Sequence, residues 1–177
     1  MTERKIIGET IFTGHVFTVE RDTVDCGGLP ATREVVRHPG GVAVLALDDK
    51  NRVVMVRQFR YAIGKELIEL PAGRLEPGED PLQAGLRELG EETGYTASHI
   101  EFLGRMIPTG GYDSEILWLY LATGLIAGQP HPDEGEILTC RLVPFDQAVS
   151  MVIDGTIEDG KTCYGLMKYA LMRGKGL

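Results

Sequence analysis

Three glutamates, Glu88, Glu91 and Glu92, fall within five residues of each other in LRELGEETGY. Glu76, Glu79 and Asp80 precede them, and Arg74 and Arg87 are the only cations between residues 73 and 95. Like charges one turn apart on a helix repel by a few tenths of a kcal/mol per pair. A solvated acidic face is the plain reading of such a run. Against it, no lysine stands four residues after Glu88, and Gly90 inside the cluster costs a helix about 1 kcal/mol relative to alanine. The preceding loop, AGRLEPGE, brings backbone carbonyls toward the same helix end. Clustered carboxylates with a backbone oxygen suit hard cations such as Mg²⁺ or Mn²⁺. Cations held there could clamp a diphosphate and activate water. Arg87 reaches Glu91 at the i+4 spacing, either to hold it in place or as an ordinary surface ion pair.

The helix that must carry these acids has clear ends. Asp80 suits the N-cap, Pro81 the first helical position and Gly94 the C-terminal stop. With Glu88 at zero and about 100° per residue, Glu92 lies near roughly +40° and Glu91 near roughly −60°. Leu89, Leu86 and Leu82 fall between about +100° and +160°. The glutamates are therefore expected on one arc, well away from a leucine stripe that docks the helix.

Around this helix the chain reads mostly as strands. Residues 4–37 have β character, with VFTVERDTV (16–24) and ATREVVRH (31–38) alternating about the turn residues CGGLP. VAVLALDD and KNRVVMVRQF read as strand, turn, strand, the first apolar enough to be buried on both faces. KELIELPAG (65–73) reads as a short strand ending at Pro71. After the acidic helix come strands near 100–107 and 115–122, an acidic loop QPHPDEGE (129–136) and a strand at 137–143. A helix opening at Pro144 and another over 161–173 finish the chain. The order is an α+β pattern. It divides into an N-terminal β-hairpin unit over 1–38 and a main domain over 39–177.

The net charge of −8 argues against nucleic acid held by its phosphates. A small phosphorylated ligand stays open, because bound cations reverse the local sign. Cys26, Cys140 and Cys163 are three in number and far apart, with no CxxC pair. The start MTERKIIGET has no signal-peptide character, and VAVLAL is too short to span a bilayer. A reducing cytoplasm, with no membrane partner, is the expectation.

The stretch from Gly73 to Tyr95 resembles the signature of the Nudix hydrolases. The matching residues are Gly73, Glu79, Arg87-Glu88-Leu89, Glu91-Glu92 and Gly94, and Tyr95 stands where an aliphatic residue is usual. The resemblance implies an α/β/α sandwich with a mixed sheet, plus a small N-terminal antiparallel β-unit. It also implies hydrolysis of a nucleoside diphosphate linked to a further group. Glu88 and Glu92 would bind two or three Mg²⁺ (or Mn²⁺) ions, with Glu91 assisting and Glu79 bracing the loop–helix unit.

The flanking segments RQFRYA, ELPAG, IPTGGYDSE and PDEGEI, with Pro108, resemble the branch that hydrolyses ADP-ribose and nucleoside-diphosphate sugars. In that branch the Ala72 carbonyl is a further metal ligand and Arg60 contacts a substrate phosphate. Glu115 would hold the terminal ribose. The general base would come from the acidic loop, from Glu134 or Glu136, with Glu134 the favoured base and Glu136 then a metal-associated or supporting acid, and with Arg87 and Glu91 completing the catalytic set. The N-terminal unit would form a homodimer and lend Phe17 or Arg33 to the neighbour's adenine site; a hairpin packed on its own chain is the alternative. ADP-ribose, giving AMP and ribose 5-phosphate, is the expected substrate. GDP-mannose or a similar compound, and a non-catalytic sensing domain, are the alternatives.

Overall fold

The computed structural model describes residues 2–133 and 135–175. The chain forms two compact units. One comprises the residues up to Gly40 together with Ile107–Ile116; the other comprises Gly41–Met106 and the residues from Leu117 onward.

The first unit is a three-stranded antiparallel sheet of β1 (Arg4–Thr13), β2 (Thr18–Cys26) and β3 (Leu29–Arg37), in that order. Cys26 pairs with Leu29, so Gly27 and Gly28 alone make the turn. Both have positive φ, at 67° and 91°. That is the geometry of a two-residue hairpin loop, which glycine adopts without strain. The segment 107–116 joins this unit through backbone bonds between Val36 and Tyr112 and between Ser114 and Val36.

The second unit is built around β4 (Gly41–Ala46), whose six residues are all buried. β4 lies between β7 (Ala72–Arg74) and β9 (Leu117–Ala127), and β8 (Tyr95–Met106) completes the order β7-β4-β9-β8. The β4–β9 pair is parallel and the other two are antiparallel, so the sheet is mixed. Alternate side chains of β4 point to opposite faces. Val42, Val44 and Ala46 join the cores around Ala84 and Leu89 of α1 (Pro81–Thr93). Ala43 and Leu45 join the core of Phe145 and Ala148 from α2 (Phe145–Ile153) and Leu166 from α3 (Gly160–Gly174). The result is the expected helix–sheet–helix sandwich. A second sheet, β10-β5-β6, comprises β10 (Leu138–Pro144), β5 (Arg52–Arg60) and β6 (Lys65–Glu69).

Two expectations are refined. The strand expected to end at Pro71 is β6, and a further strand, β7, follows Pro71 in the other sheet, since Pro71 has no N–H to continue a ladder. Its carbonyl accepts from Val44 N (2.9 Å) at the crossing. The arc of glutamates is also not wholly exposed: the buried residues of α1 are Ala84, Gly85, Leu89, Glu92 and Thr93. Glu92 lies only about 60° from Leu89 around the helix, and β7 covers it.

Candidate active site

The ends of α1 form as its sequence requires. Asp80 caps it by accepting from Leu82 N (3.0 Å) and Gln83 N (3.2 Å). Gly94 closes it at φ 75°, in the left-handed region. An added Cβ there would meet the backbone of Gln129 and Pro130 at 2.7 Å, so this turn requires glycine twice over.

Arg87 ties the loop to the helix. Its Nε and Nη2 donate to Glu79 (2.9 and 3.1 Å), and Nη2 also donates to the Arg74 carbonyl (3.2 Å). Nη1 donates to Glu88 (2.8 Å) and Glu91 (2.9 Å). The planar fork allows one side chain to serve three carboxylates, well beyond the single i+4 contact its spacing suggested. Glu79 also accepts from Glu76 N (2.9 Å), which makes it the brace it was expected to be.

Glu92 is 2% exposed and accepts one hydrogen bond, from Ala72 N at 2.9 Å. Burial pushes its pKa up to about 8, and the charges of Glu88 and Glu136 add to the rise. Burial also raises the Glu88 carboxyl, against the pull of Arg87. Gly73 permits this packing: a Cβ at that position would stand 1.9 Å from Glu88 Oε1.

Among the described residues, no three His, Cys, Asp or Glu side chains converge to metal-holding distance. The Arg87 Nη1 lies between Glu88 and Glu91 and donates to both. The donor chemistry still fits a hard divalent cation. Two carboxylates are kept from water at a cost that a bound cation would remove.

Nearby is a buried ionic cluster that local sequence patterns did not reveal. Glu69, fully buried, accepts from Arg60 Nε (2.7 Å) and Nη2 (2.6 Å) and from Lys161 Nζ. Lys161 also donates to Asp159 (3.0 Å), the N-cap of α3. Thr162, buried, accepts from Leu70 N (2.8 Å) and donates to Asp159 (2.6 Å). Arg60 and Glu92 are close enough that each charge acts on the other. The signal was Lys161 itself, a cation in the first turn of a helix, where the dipole disfavours it.

The acidic loop is tied to α1 by the bond from His131 N to the Glu91 carbonyl (2.9 Å). Glu136 is exposed, and its charge reaches both Glu88 and Glu92. Glu134 lies outside the described residues. The other expected substrate contacts belong to the first unit. There Glu115 stands 3.5 Å from His38 Nδ1, Phe17 faces the ring of Phe12, and Arg33 Nε donates to Glu3 (2.9 Å).

Comparison with known proteins agrees with this geometry. Residues 37–162 match the NUDIX domain family model. The chain is 40% identical over 163 residues to the methanol dehydrogenase activator of Bacillus methanolicus, covering 90% of this chain and 88% of that protein. It is 37% identical over 169 residues to the ADP-ribose pyrophosphatase of Bacillus subtilis strain 168, covering 94% and 91%. A crystal structure of an ADP compounds hydrolase superposes with a TM-score of 0.85 at 22% identity, covering 99% and 97%. The signature geometry and these matches together show that the chain belongs to the Nudix hydrolase family and is a pyrophosphohydrolase.

Proposed function

We propose that the protein hydrolyses the diphosphate linkage of ADP-ribose to AMP and ribose 5-phosphate, with Mg²⁺ (or Mn²⁺) as the required cation. The observation that carries this reading is the buried Glu92 with the partly buried Glu88 on the loop–helix unit braced by Arg87, where the charge of Arg60 from β5 reaches Glu92. A relative 37% identical to this chain over 91% of its own length acts, by its name, on ADP-ribose.

Ala72, Glu88, Glu91, Glu92 and Glu136 would hold the cations, which when bound neutralise diphosphate charge and acidify water. Arg60 binds a phosphate oxygen, for which a guanidinium fork is well shaped. Arg87 keeps Glu88 and Glu91 in place and leaves substrate to the other residues. Glu134 takes the proton of the attacking water as the new P–O bond forms and the bridging P–O bond breaks. Glu136 supports the same loop. Phe17, Arg33 and Glu115 serve the nucleoside and ribose ends. The N-terminal sheet joins two copies in a homodimer, a reading supported by the exposure of Ile6, Ile7, Ile11 and Phe12 along β1. No helix among the described residues is long and apolar enough to cross a membrane.

The test is turnover of a panel of nucleoside diphosphate compounds, ADP-ribose and GDP-mannose among them, with Mg²⁺ and with chelator. Mg²⁺-dependent release of AMP from ADP-ribose is expected to lead the panel. Faster turnover of another sugar nucleotide would move the substrate assignment, and no turnover of any member would leave the sensing alternative.

A further inference from the structure

Lys161 occupies a place that a cation takes only with close partners, here Glu69 and Asp159. It is 9% exposed, and long cations are seldom buried unless paired. It also sits in the first turn of α3, against the positive end of the helix dipole. Nothing in the charge balance of Glu69 requires it, because Arg60 already meets that carboxylate through two hydrogen bonds. The extra cation therefore changes what Arg60 can do. A closed Arg–Glu pair carries no net charge and attracts an anion weakly. With Lys161 sharing the carboxylate, the Arg60–Glu69–Lys161 group is a cation overall, and the charge of Asp159 is offset by the helix N-terminus that it caps. One edge of the guanidinium, Nε and Nη2, is fixed by Glu69, while Nη1 makes no hydrogen bond among the described residues.

We propose that Lys161 is a positioning residue: through Glu69 it fixes the Arg60 guanidinium and keeps its free edge and its charge available to the diphosphate of the substrate. This rests on the reading above that Arg60 contacts that diphosphate. Glu69 is the poorer residue to test, since its loss would strand two cations and endanger the fold. Removing Lys161 leaves Glu69 paired with Arg60, so the fold should survive.

The experiment is a double-mutant cycle of Lys161→Met and Arg60→Gln. The readouts are kcat and KM for ADP-ribose with Mg²⁺ and, independent of turnover, binding of ADP by calorimetry. K161M alone is expected to lower kcat/KM by roughly 10- to 100-fold, the scale of a misplaced substrate contact, and to weaken ADP binding. In the R60Q background it should do neither, and Lys161→Arg should restore part of the loss. Equal losses from K161M with and without Arg60, or full activity in K161M, would overturn the proposal. So would failure of the wild-type protein to bind ADP. If ADP binds and the cycle is non-additive while no ADP-ribose is hydrolysed, the substrate assignment fails and the role of Lys161 stands.

Discussion

Gly73 opens the signature, and the structure gives it a function that can be removed by one carbon atom. An alanine Cβ there would lie 1.9 Å from Glu88 Oε1, 2.1 Å from Cδ and 2.4 Å from Oε2. Ordinary contact begins at 3.4 Å, so the carboxylate must retreat by about 1.5 Å (3.4 − 1.9). The obstacle is the far end of a flexible side chain, and the φ of Gly73 is not positive. Folding should therefore change little: glycine to alanine at a compatible backbone stabilises by about 0.4–1 kcal/mol, against a similar cost for moving Glu88. The expected shift in Tm is within about 4 °C. Activity should change far more, because a displacement near 1 Å can cost about 100-fold. Gly73→Ala should thus lower kcat/KM for ADP-ribose by roughly two orders of magnitude in a protein that melts normally. Gly90→Ala is the control, since a Cβ there meets nothing within 4 Å; it should raise Tm by about 2–4 °C for roughly 1 kcal/mol at unchanged activity. G73A turnover within threefold of wild type would show that the Glu88 position seen here is not the one that matters.

Replacing Arg87 by lysine removes the fork that joins Glu79, Glu88, Glu91 and the Arg74 carbonyl. With the side chain 27% exposed, solvent screening limits the stability loss to about 1–2 kcal/mol, read as a Tm lower by about 2–8 °C. Weaker Mg²⁺ dependence in a titration should accompany it, and an unchanged melting curve would contradict the bracing role. For the acidic loop, Glu134→Gln should reduce kcat by about 100-fold or more with KM little changed, whereas Glu136→Gln should act mainly on the Mg²⁺ requirement. The opposite pattern would exchange their roles. Stability against acid should report on Glu69. Burial raises its pKa, but the hydrogen bond from Arg60 and the charge of Lys161 outweigh it, so the folded value lies below 4.5. Its contribution is then complete above pH 4.5 and is lost as pH falls through the folded pKa. In Lys161→Met the folded pKa should move up toward 4.5, so the acid-dependent loss should be smaller and complete at a higher pH, and identical Tm–pH profiles would refute the coupling.

Much of the fold was written in local patterns. The ends of α1 follow from Asp80, Pro81 and Gly94, and the all-apolar β4 announces a strand covered on both faces. The acid cluster was legible because its spacing is fixed within one helix. What escaped lies between distant segments. The Glu69–Lys161 contact spans 92 residues, and no periodicity in either segment points to the other. Glu92 sits at the border between the leucine stripe and the polar arc, where helical angle alone does not decide burial; the Ala72 N–H of β7 decides it. Pro71 was visible as a break, but not that it moves the chain from one sheet to another.

The charge balance of these groups explains why a helix would keep its acids so close. Arg87 is one cation shared among Glu79, Glu88 and Glu91, and it leaves two negative charges unbalanced. Glu92, inside the protein beside the Ala72 N–H, adds a third when ionised. Arg60, whose charge reaches Glu92, is already committed through Nε and Nη2 to Glu69. The fold thus supplies enough positive charge to assemble the carboxylates and too little to satisfy them. A cluster left in that state gains stability from any divalent cation that enters. Metal affinity here would therefore depend as much on the arginines that fall short of neutralising the site as on the glutamates that form it.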